Sequence, residues 1–311
     1  MHDISAPQPT RQWLPSAAGV VVFAAMLADQ SVRPFALGNA VAQLVLFGLV
    51  ACVPAWRTRR MSYVDIAWPW GLVVLGLEVL FLGRLSSFVV AIACFYLVVG
   101  ARMGLAALQL WRTGDFDEEL PRYRYQRLRW QHRSLGSERA DLVAEILVQG
   151  WANCTTLAVP AALAIASDHP AISVITVAGL ALWGCSWILE STADLQKLRF
   201  AATAPRDGVK RSCEVGLWRY SRHPNYFFQW MQWNAVVLMC LPELIGHLGR
   251  TNPVSAAGLV LGLLGASASM YWCLVYYTGA VPAEYYSVQK RPDYRDYQTR
   301  TNRFLPGRVR R

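Results

Sequence analysis

An arginine and a histidine stand side by side before a proline in Tyr220-Ser221-Arg222-His223-Pro224-Asn225-Tyr226. Directly afterwards the chain turns apolar and aromatic, with Phe227, Phe228, Trp230 and Trp233. Proline is favoured in the first turn of a helix, where its missing N–H leaves nothing unsatisfied. A helix is therefore expected to open at Pro224, with Arg222 and His223 at its mouth. Free N–H groups and the helix dipole at such a mouth attract an anion. The chemistry predicted is the binding of a phosphate-bearing cofactor. The plainer reading of the same residues is a polar cap, since charged groups at membrane boundaries are common.

Two further groups carry candidate chemistry. Glu190, Asp194 and Lys197 follow Trp183-Gly184-Cys185-Ser186-Trp187-Ile188-Leu189 at i, i+4, i+7, a spacing that puts them on one helix face. Such a stripe could bind the ribose hydroxyls or the amide of a nucleotide, or simply form the polar face of a helix leaving the membrane. Asp65, in Tyr63-Val64-Asp65-Ile66-Ala67-Trp68-Pro69-Trp70, is an acid at the start of an apolar run. Burial favours its protonated, hydrogen-bond-donating form, whereas a helix-terminal Asp can also merely complement the dipole or pair with an Arg. Trp68 lies one turn on and could wall a flat ligand. Glu78 is roughly 20 Å further along the helix and nearly opposite, so it is not expected to share a site with Asp65. Arg102 sits inside another apolar run and needs a partner or a cavity. The mixed charges of 114–125 read as a solvated loop.

These residues need elements to hold them. Of 311 residues 54% are hydrophobic, and several apolar runs exceed the ~18 residues that mark a membrane span. The fold predicted is all-α, a polytopic membrane helix bundle of about eight spans, near 13–29, 35–56, 63–83, 85–111, 142–166, 171–196, 224–246 and 254–281. Basic residues collect at 57–60, 112–139, 197–222 and 282–311, while the alternate connections hold only Arg33, Arg84 and Arg250. Both termini are then cytoplasmic. The net charge of +10 is accounted for by loops facing anionic lipid rather than by nucleic acid. The seven Cys are scattered singly without metal-ligand spacing, so neither a disulfide set nor a metal site is expected. No cleavable signal peptide is read in an N-terminus carrying His2, Asp3 and Pro7. The expected setting is a multi-pass protein of the bacterial inner membrane.

Glu190…Asp194…Lys197…Phe200, Gly216-Leu217-Trp218…Ser221-Arg222-His223-Pro224-Asn225-Tyr226 and Glu284…Lys290-Arg291-Pro292-Asp293-Tyr294…Tyr297…Phe304-Leu305-Pro306 together resemble the steroid 5-alpha-reductase superfamily. The nearest branch is its bacterial members of unknown function, which Val64-Asp65…Trp68 and Gly100-Ala101-Arg102…Arg112…Arg122-Tyr123 also resemble. The likeness covers about 60–306, leaving 1–60 as an N-terminal two-helix extension and 61–311 as the reductase-like domain. Arg-His-Pro-x-Tyr is also similar to a motif of isoprenylcysteine carboxyl methyltransferases, which use S-adenosylmethionine.

The resemblance implies a membrane-embedded reductase with NADPH as cofactor and a lipid-soluble small-molecule substrate entering from the bilayer. Asp194, Arg222, Asn225, Tyr226, Arg291, Tyr294 and Tyr297 stand at positions like the family's nucleotide-binding ones, with Tyr220 and Arg112 as weaker members; Glu190, Lys197 and His223 join them from the reading above. Asp65 stands where steroid reductases have a Glu that polarises the substrate carbonyl, at matching distance from Arg102. The steroid enzymes have a Tyr three residues before that Arg. Here it is Val99, and Tyr96, a turn away, substitutes in part as the second catalytic group. Trp68 and Arg102 then line the substrate pocket. Hydride would reach the β-carbon of a carbonyl-conjugated alkene, and a protonated Asp65 would stabilise the charge developing on oxygen. Two rival readings are an S-adenosylmethionine-dependent methyltransferase and a non-catalytic lipid-binding protein. No protein partner is predictable from the sequence.

Overall fold

The computed structural model describes residues 13–130, 137–168, 172–205 and 208–310. Within them the secondary structure is helical. The longer helices are α1 (Trp13–Ala28), α2 (Arg33–Phe47), α3 (Val53–Thr58), α4 (Val64–Leu82), α5 (Ser87–Arg112), α6 (Pro121–Trp130), α7 (Glu138–Cys154), α8 (Val159–Ile165), α9 (Val174–Thr203), α10 (Pro224–Leu248), α11 (Pro253–Trp272), α12 (Ala280–Lys290) and α13 (Tyr294–Arg300). Six helical segments among the described residues are long and apolar enough to cross a membrane: Arg33–Thr58, Val64–Leu82, Ser87–Arg112, Glu138–Ile165, Val174–Thr203 and Pro253–Lys290. Apolar helices in this number make the chain an integral membrane protein. The other two expected spans exist as helices of a different character. The first, α1, is 16 residues long. The seventh, α10, is diluted by Asn225, Gln229, Gln232, Asn234 and Glu243.

The chain divides into two compact units, one holding 181–235 and 270–310, the other 13–180 and 236–269 among the described residues. In the second unit α4 and α5 form an antiparallel hairpin packed closely enough that a Cβ on Gly100 would lie 2.7 Å from the Pro69 carbonyl and one on Gly104 2.8 Å from the Trp70 ring. Ser86 caps α5 by accepting the Val89 N–H at 3.2 Å. Pro69 lies inside α4. It has no N–H to give the carbonyl of Asp65 four residues back, so the first turn of α4 is loosened where the acid sits. A buried amide network ties α2 to α4 and α7: Asn39 Nδ2 donates to the Asn153 carbonyl (2.9 Å), Gln43 Nε2 to the Gly71 carbonyl (2.9 Å), and Asn153 Nδ2 to the Trp68 carbonyl (3.1 Å). The helices expected as an N-terminal extension are thus built into this unit. Its core at the α4 end joins Phe47, Met61, Val64, Ala67, Tyr123, Leu142 and Ile146.

In the other unit the C-terminal part of α9, the turn Gly216–Arg219, the start of α10, α12, α13 and the tail to Arg310 pack together. Their backbone contacts are between segments far apart in sequence. The Arg222 N–H donates to the Asn302 carbonyl at 2.9 Å, and the Gly307 N–H to the Tyr220 carbonyl at 3.0 Å.

Candidate functional site

Asp65 lies in the first turn of α4, and the segment after α5 closes over it. That segment is not a solvated loop. Its Phe116 and Tyr123 are buried, and Glu119 folds back on the end of α4. The Glu119 carboxylate accepts from the N–H groups of Met61 (2.9 Å) and Ser62 (3.0 Å) and from Ser62 Oγ (2.7 Å). These are the N–H groups a helix start leaves unpaired. Arg127 Nη2 holds the same carboxylate at 2.9 Å. One turn after Glu119, the Tyr123 hydroxyl donates to Asp65 Oδ1, and Arg122 Nη2 lies 3.2 Å from Asp65 Oδ2. Asp65 is thus flanked by a guanidinium on one oxygen and a phenol on the other.

The phenol expected beside Asp65 is elsewhere. Tyr96 is fully buried on α5, and its hydroxyl donates to the Leu157 carbonyl at 2.5 Å. The close approaches of the hairpin, Gly76 to Ala93 and Leu97 and Gly100 to Pro69 and Val73, put Tyr96 level with about residue 75 of α4. That is roughly 15 Å along the helix from Asp65. The reason is register: an antiparallel hairpin pairs the start of α4 with the end of α5. Trp68 contributes its carbonyl to Asn153 and packs on the α4 core. Arg102 is half-buried on α5, and Arg112 is exposed at that helix's end.

The other unit holds the second cluster. The i, i+4, i+7 face of α9 is real, and each of its members has a partner. Glu190 is buried and accepts from Gln232 Nε2 on α10. Asp194 accepts from Asn225 Nδ2 at 3.0 Å. Lys197 Nζ lies 4.5 Å from the centre of the Trp218 ring. His223 is buried, its ring stacks on Tyr226 at 5.3 Å, and its Nε2 is 3.3 Å from Glu284 Oε1. Burial pushes its pKa below the ordinary histidine value, against the pull of the Glu284 charge.

Arg222 is 7% exposed, and its donors point into the protein. Its Nε donates to Glu284 Oε1 at 2.7 Å, and its Nη1 to the carbonyls of Gln298 (3.1 Å) and Thr301. Glu284 collects three more contacts: Gln298 Nε2 and Arg303 Nε on Oε2, each at 3.1 Å, and His223. Ser221 Oγ donates to the Phe304 carbonyl at 2.8 Å. The Tyr297 hydroxyl donates to the Trp218 carbonyl, and burial raises its pKa above the phenol norm. Tyr294, buried beside it, is shifted the same way for the same reason. Arg222 and Tyr297 are therefore fastenings between the Trp218–Ser221 turn and the tail, with their polar groups already engaged. The tail is not a free arm: it is pinned at Asn302, Phe304 and Gly307.

Four groups of this cluster keep capacity for a ligand. Asn225 Oδ1 and His223 Nε2 are buried without a hydrogen bond. Tyr220 is exposed. Arg291 is half-exposed, with Nε on the Arg211 carbonyl (3.2 Å) and Nη1 on Ser287 Oγ (2.8 Å). Among the described residues no group of three or more His, Cys, Asp or Glu is placed to hold a metal ion. Sequence reasoning missed Glu284, Glu119, Arg122 and Tyr123 as site groups. The local signals were two: an acid within a basic, aromatic tail at Glu284, and an Arg-Tyr pair just past a Pro at 121–123.

A family model described as a protein of unknown function, DUF1295, matches residues 53–301. No curated protein and no solved structure matches the chain.

Proposed function

The chain belongs to that family of unknown function, and from its own residues we propose that it is a membrane-embedded, NADPH-dependent reductase of a carbonyl-conjugated C=C bond in a lipid-soluble substrate. The observation that carries the reading is the Asp65–Tyr123–Arg122 constellation at the end of a membrane helix. An acid that holds a phenol on one oxygen and a guanidinium on the other is an arrangement from which a side chain can give a hydrogen bond to a reacting oxygen. The resemblance of the chain to steroid 5-alpha-reductases supports it, as does the set Asn225, His223, Tyr220, Arg291 and Lys197. That set offers an unfilled acceptor and cations to a nucleotide, which fits the nicotinamide amide and the phosphates. We place the protein in a bacterial cell membrane with both termini on the cytoplasmic side.

NADPH, when bound, supplies the hydride. The chain's part is to meet the negative charge that develops on the substrate oxygen. With the Tyr123 hydroxyl donating to Asp65 Oδ1 and Arg122 held on Oδ2, we assign the mobile proton of the pair to Tyr123. The donor is then Tyr123, not Asp65. Turning its hydroxyl from Asp65 Oδ1 to the substrate oxygen places a hydrogen bond where charge appears only in the transition state. Arg122 keeps Asp65 paired while the hydroxyl is turned away, so the carboxylate is not left alone. Asp65 acts by orienting Tyr123 and by accepting its hydroxyl again once the product has left.

The deciding experiment titrates the purified full chain with NADPH, NADH and S-adenosylmethionine. A panel of enone lipids is then screened for NADPH-dependent gain of two hydrogens by mass. NADPH binding with reduction of one panel member is expected. Tyr123→Phe should lower turnover by about 10²-fold at unchanged NADPH affinity, the usual loss for one oxyanion-stabilising donor. Binding of S-adenosylmethionine in place of NADPH would establish the methyltransferase reading instead, and binding of neither would leave lipid binding.

A further inference from the structure

In the unit that holds the tail, a wall of rings stands between the start of α10 and the end of α11. Phe304 of the tail packs against Phe227 (5.8 Å between ring centres), Trp230 (5.8 Å) and Tyr271 (5.3 Å), and Trp230 lies 5.5 Å from Tyr271. Tyr276 extends the wall, 6.1 Å from Tyr271 and 5.2 Å from Trp272. Tyr271 and Tyr276 are five positions apart and would diverge on an α-helix. The segment Cys273–Tyr277 is instead π-helical, with bonds from i to i+5, and the two hydroxyls hydrogen-bond with each other. Such wide turns are frequent at functional sites. Both tyrosines belong to the membrane-length segment Pro253–Lys290, and rings at the end of such a segment by themselves form only an interfacial belt.

The charge at the edge of this wall sets it apart. Arg303, directly before Phe304, is exposed. Its Nε donates to Glu284 Oε2 at 3.1 Å, and its Nη1 and Nη2 make no hydrogen bond among the described residues. The guanidinium is near enough to Tyr271 to act on its phenol electrostatically. Glu284 is already paired with Arg222 at 2.7 Å. Burial keeps His223 below the ordinary histidine value, so at neutral pH it adds no charge. Two guanidinium groups therefore share one carboxylate. The surplus positive charge falls to the one that reaches the surface: the Arg303 side chain is 44% exposed, that of Arg222 7%. Leu305, next but one, is strongly exposed as well. From this we propose that Arg303 and the wall at Tyr271 and Tyr276 bind the headgroup of an anionic membrane phospholipid, a phosphodiester monoanion. Its two unesterified oxygens meet the free Nη1–Nη2 edge in the two-pronged geometry that a guanidinium offers a phosphate. One negative charge then meets one surplus positive charge. The exposed parts of Tyr276 and Leu305 give apolar surface to the start of the acyl chains. A zwitterionic headgroup brings an ammonium that the surplus charge repels. The inference does not rest on the reductase reading.

The test is native mass spectrometry of the purified full chain in detergent, titrated with phosphatidylglycerol and with phosphatidylcholine of the same acyl chains. Phosphatidylglycerol should bind saturably, about fivefold or more tighter than phosphatidylcholine, the worth of one arginine beside an anionic headgroup. Arg303→Gln should abolish that preference, and Arg303→Lys, which keeps the charge but not the fork, should hold part of it. Because Arg303 also holds Glu284, a second variant leaves that contact alone: Tyr276→Ala should weaken phosphatidylglycerol several-fold at unchanged melting temperature. Equal binding of the two lipids by the wild type, or a preference that survives Arg303→Gln, would overturn the proposal. Wild-type affinity in Tyr276→Ala would overturn the part given to the wall. Competition separates the sources of the phosphate: inorganic phosphate or NADPH that displaces the lipid completely would assign Arg303 to a soluble ligand and overturn the membrane as its source.

Discussion

Replacing Arg222 by Met keeps the volume of the side chain and removes its donors. Three hydrogen bonds go with them: one to a carboxylate that is itself 5% exposed, one to the buried Thr301 carbonyl and one to the Gln298 carbonyl. Removing one partner of a buried ion pair costs about 3–5 kcal/mol. Glu284 keeps Gln298 and Arg303 on its other oxygen, so this share falls to the lower end, about 3 kcal/mol. The carbonyls left short of a donor add about 1 kcal/mol each where water cannot replace it. The fastening of the tail should therefore weaken by about 3–5 kcal/mol, and since 1.4 kcal/mol is about tenfold, local opening of 291–305 should become ~10²-fold or more frequent. Hydrogen–deuterium exchange of peptides from this segment in solubilised protein reads that opening directly. Arg222→Lys, which keeps the charge but not the fork, should fall between the two. Glu284→Gln in the Arg222→Met background should restore part of the protection, because the unpaired charge is gone. Exchange within about threefold of wild type, together with lost nucleotide binding, would refute the fastening and make Arg222 a ligand.

Glu119→Ala should free the start of α4 and the segment above it: the hydrogen bonds of Met61, Ser62 and Arg127 to a carboxylate are removed, about 1.5–3 kcal/mol each at most, and exchange over 115–125 should rise at least tenfold, while an unchanged pattern would show that Glu119 does not hold Tyr123 over Asp65. His223 sets a pH dependence. Its pKa in the folded chain lies below the ordinary 6.5, so the unfolded segment takes up a proton first as pH falls, and the stability of the 219–226 turn is full above about 6.5 and declines below it. Protection factors corrected for intrinsic exchange should drop between pH 7.5 and 5.5 in the wild type and stay flat in His223→Gln; a slope of the same size in both would assign the effect to another group.

Local patterns in the sequence are enough to place the long apolar helices, but not α6, α12 and α13. The Pro224 start, the membrane-length apolar runs and the one-sided stripe of α9 all follow from spacing within a few residues, and Glu190, Asp194 and Lys197 do share a face. What spacing cannot supply is the partner. Asp65 and Tyr123 are 58 positions apart, and Arg222 and Glu284 are 62; no periodicity connects such pairs. The misplaced phenol shows the same gap. Tyr96 pairs with Asp65 only if distance from Arg102 along one helix decides the contact, whereas contact across a hairpin depends on register, which the Gly76 and Gly100 approaches set. The charges of 114–125 resemble those of a solvated loop. Glu119 is spent instead on backbone N–H groups at a helix end, a demand that composition does not reveal.

The most conspicuous residue of the sequence thus has a different part from the one its position invites. At a helix mouth, a buried Arg that already donates to Glu284 and to two tail carbonyls has no charge to spare for a phosphate, because the same guanidinium cannot satisfy both without leaving Glu284 buried and unpaired. Its work is to fold the tail onto the turn that precedes α10. That work does not depend on what the cluster binds. On the proposed reading, the choice between nucleotides falls to the groups that Arg222 leaves open around it. Asn225 Oδ1 can accept from an amide, and Arg291 and Lys197 can meet a phosphate. Arg291→Ala, which gives up only the Arg211 carbonyl and the Ser287 hydroxyl, should accordingly lower NADPH affinity more than NADH affinity without loosening the tail. Equal losses for both nucleotides would remove Arg291 from contact with the 2′-phosphate.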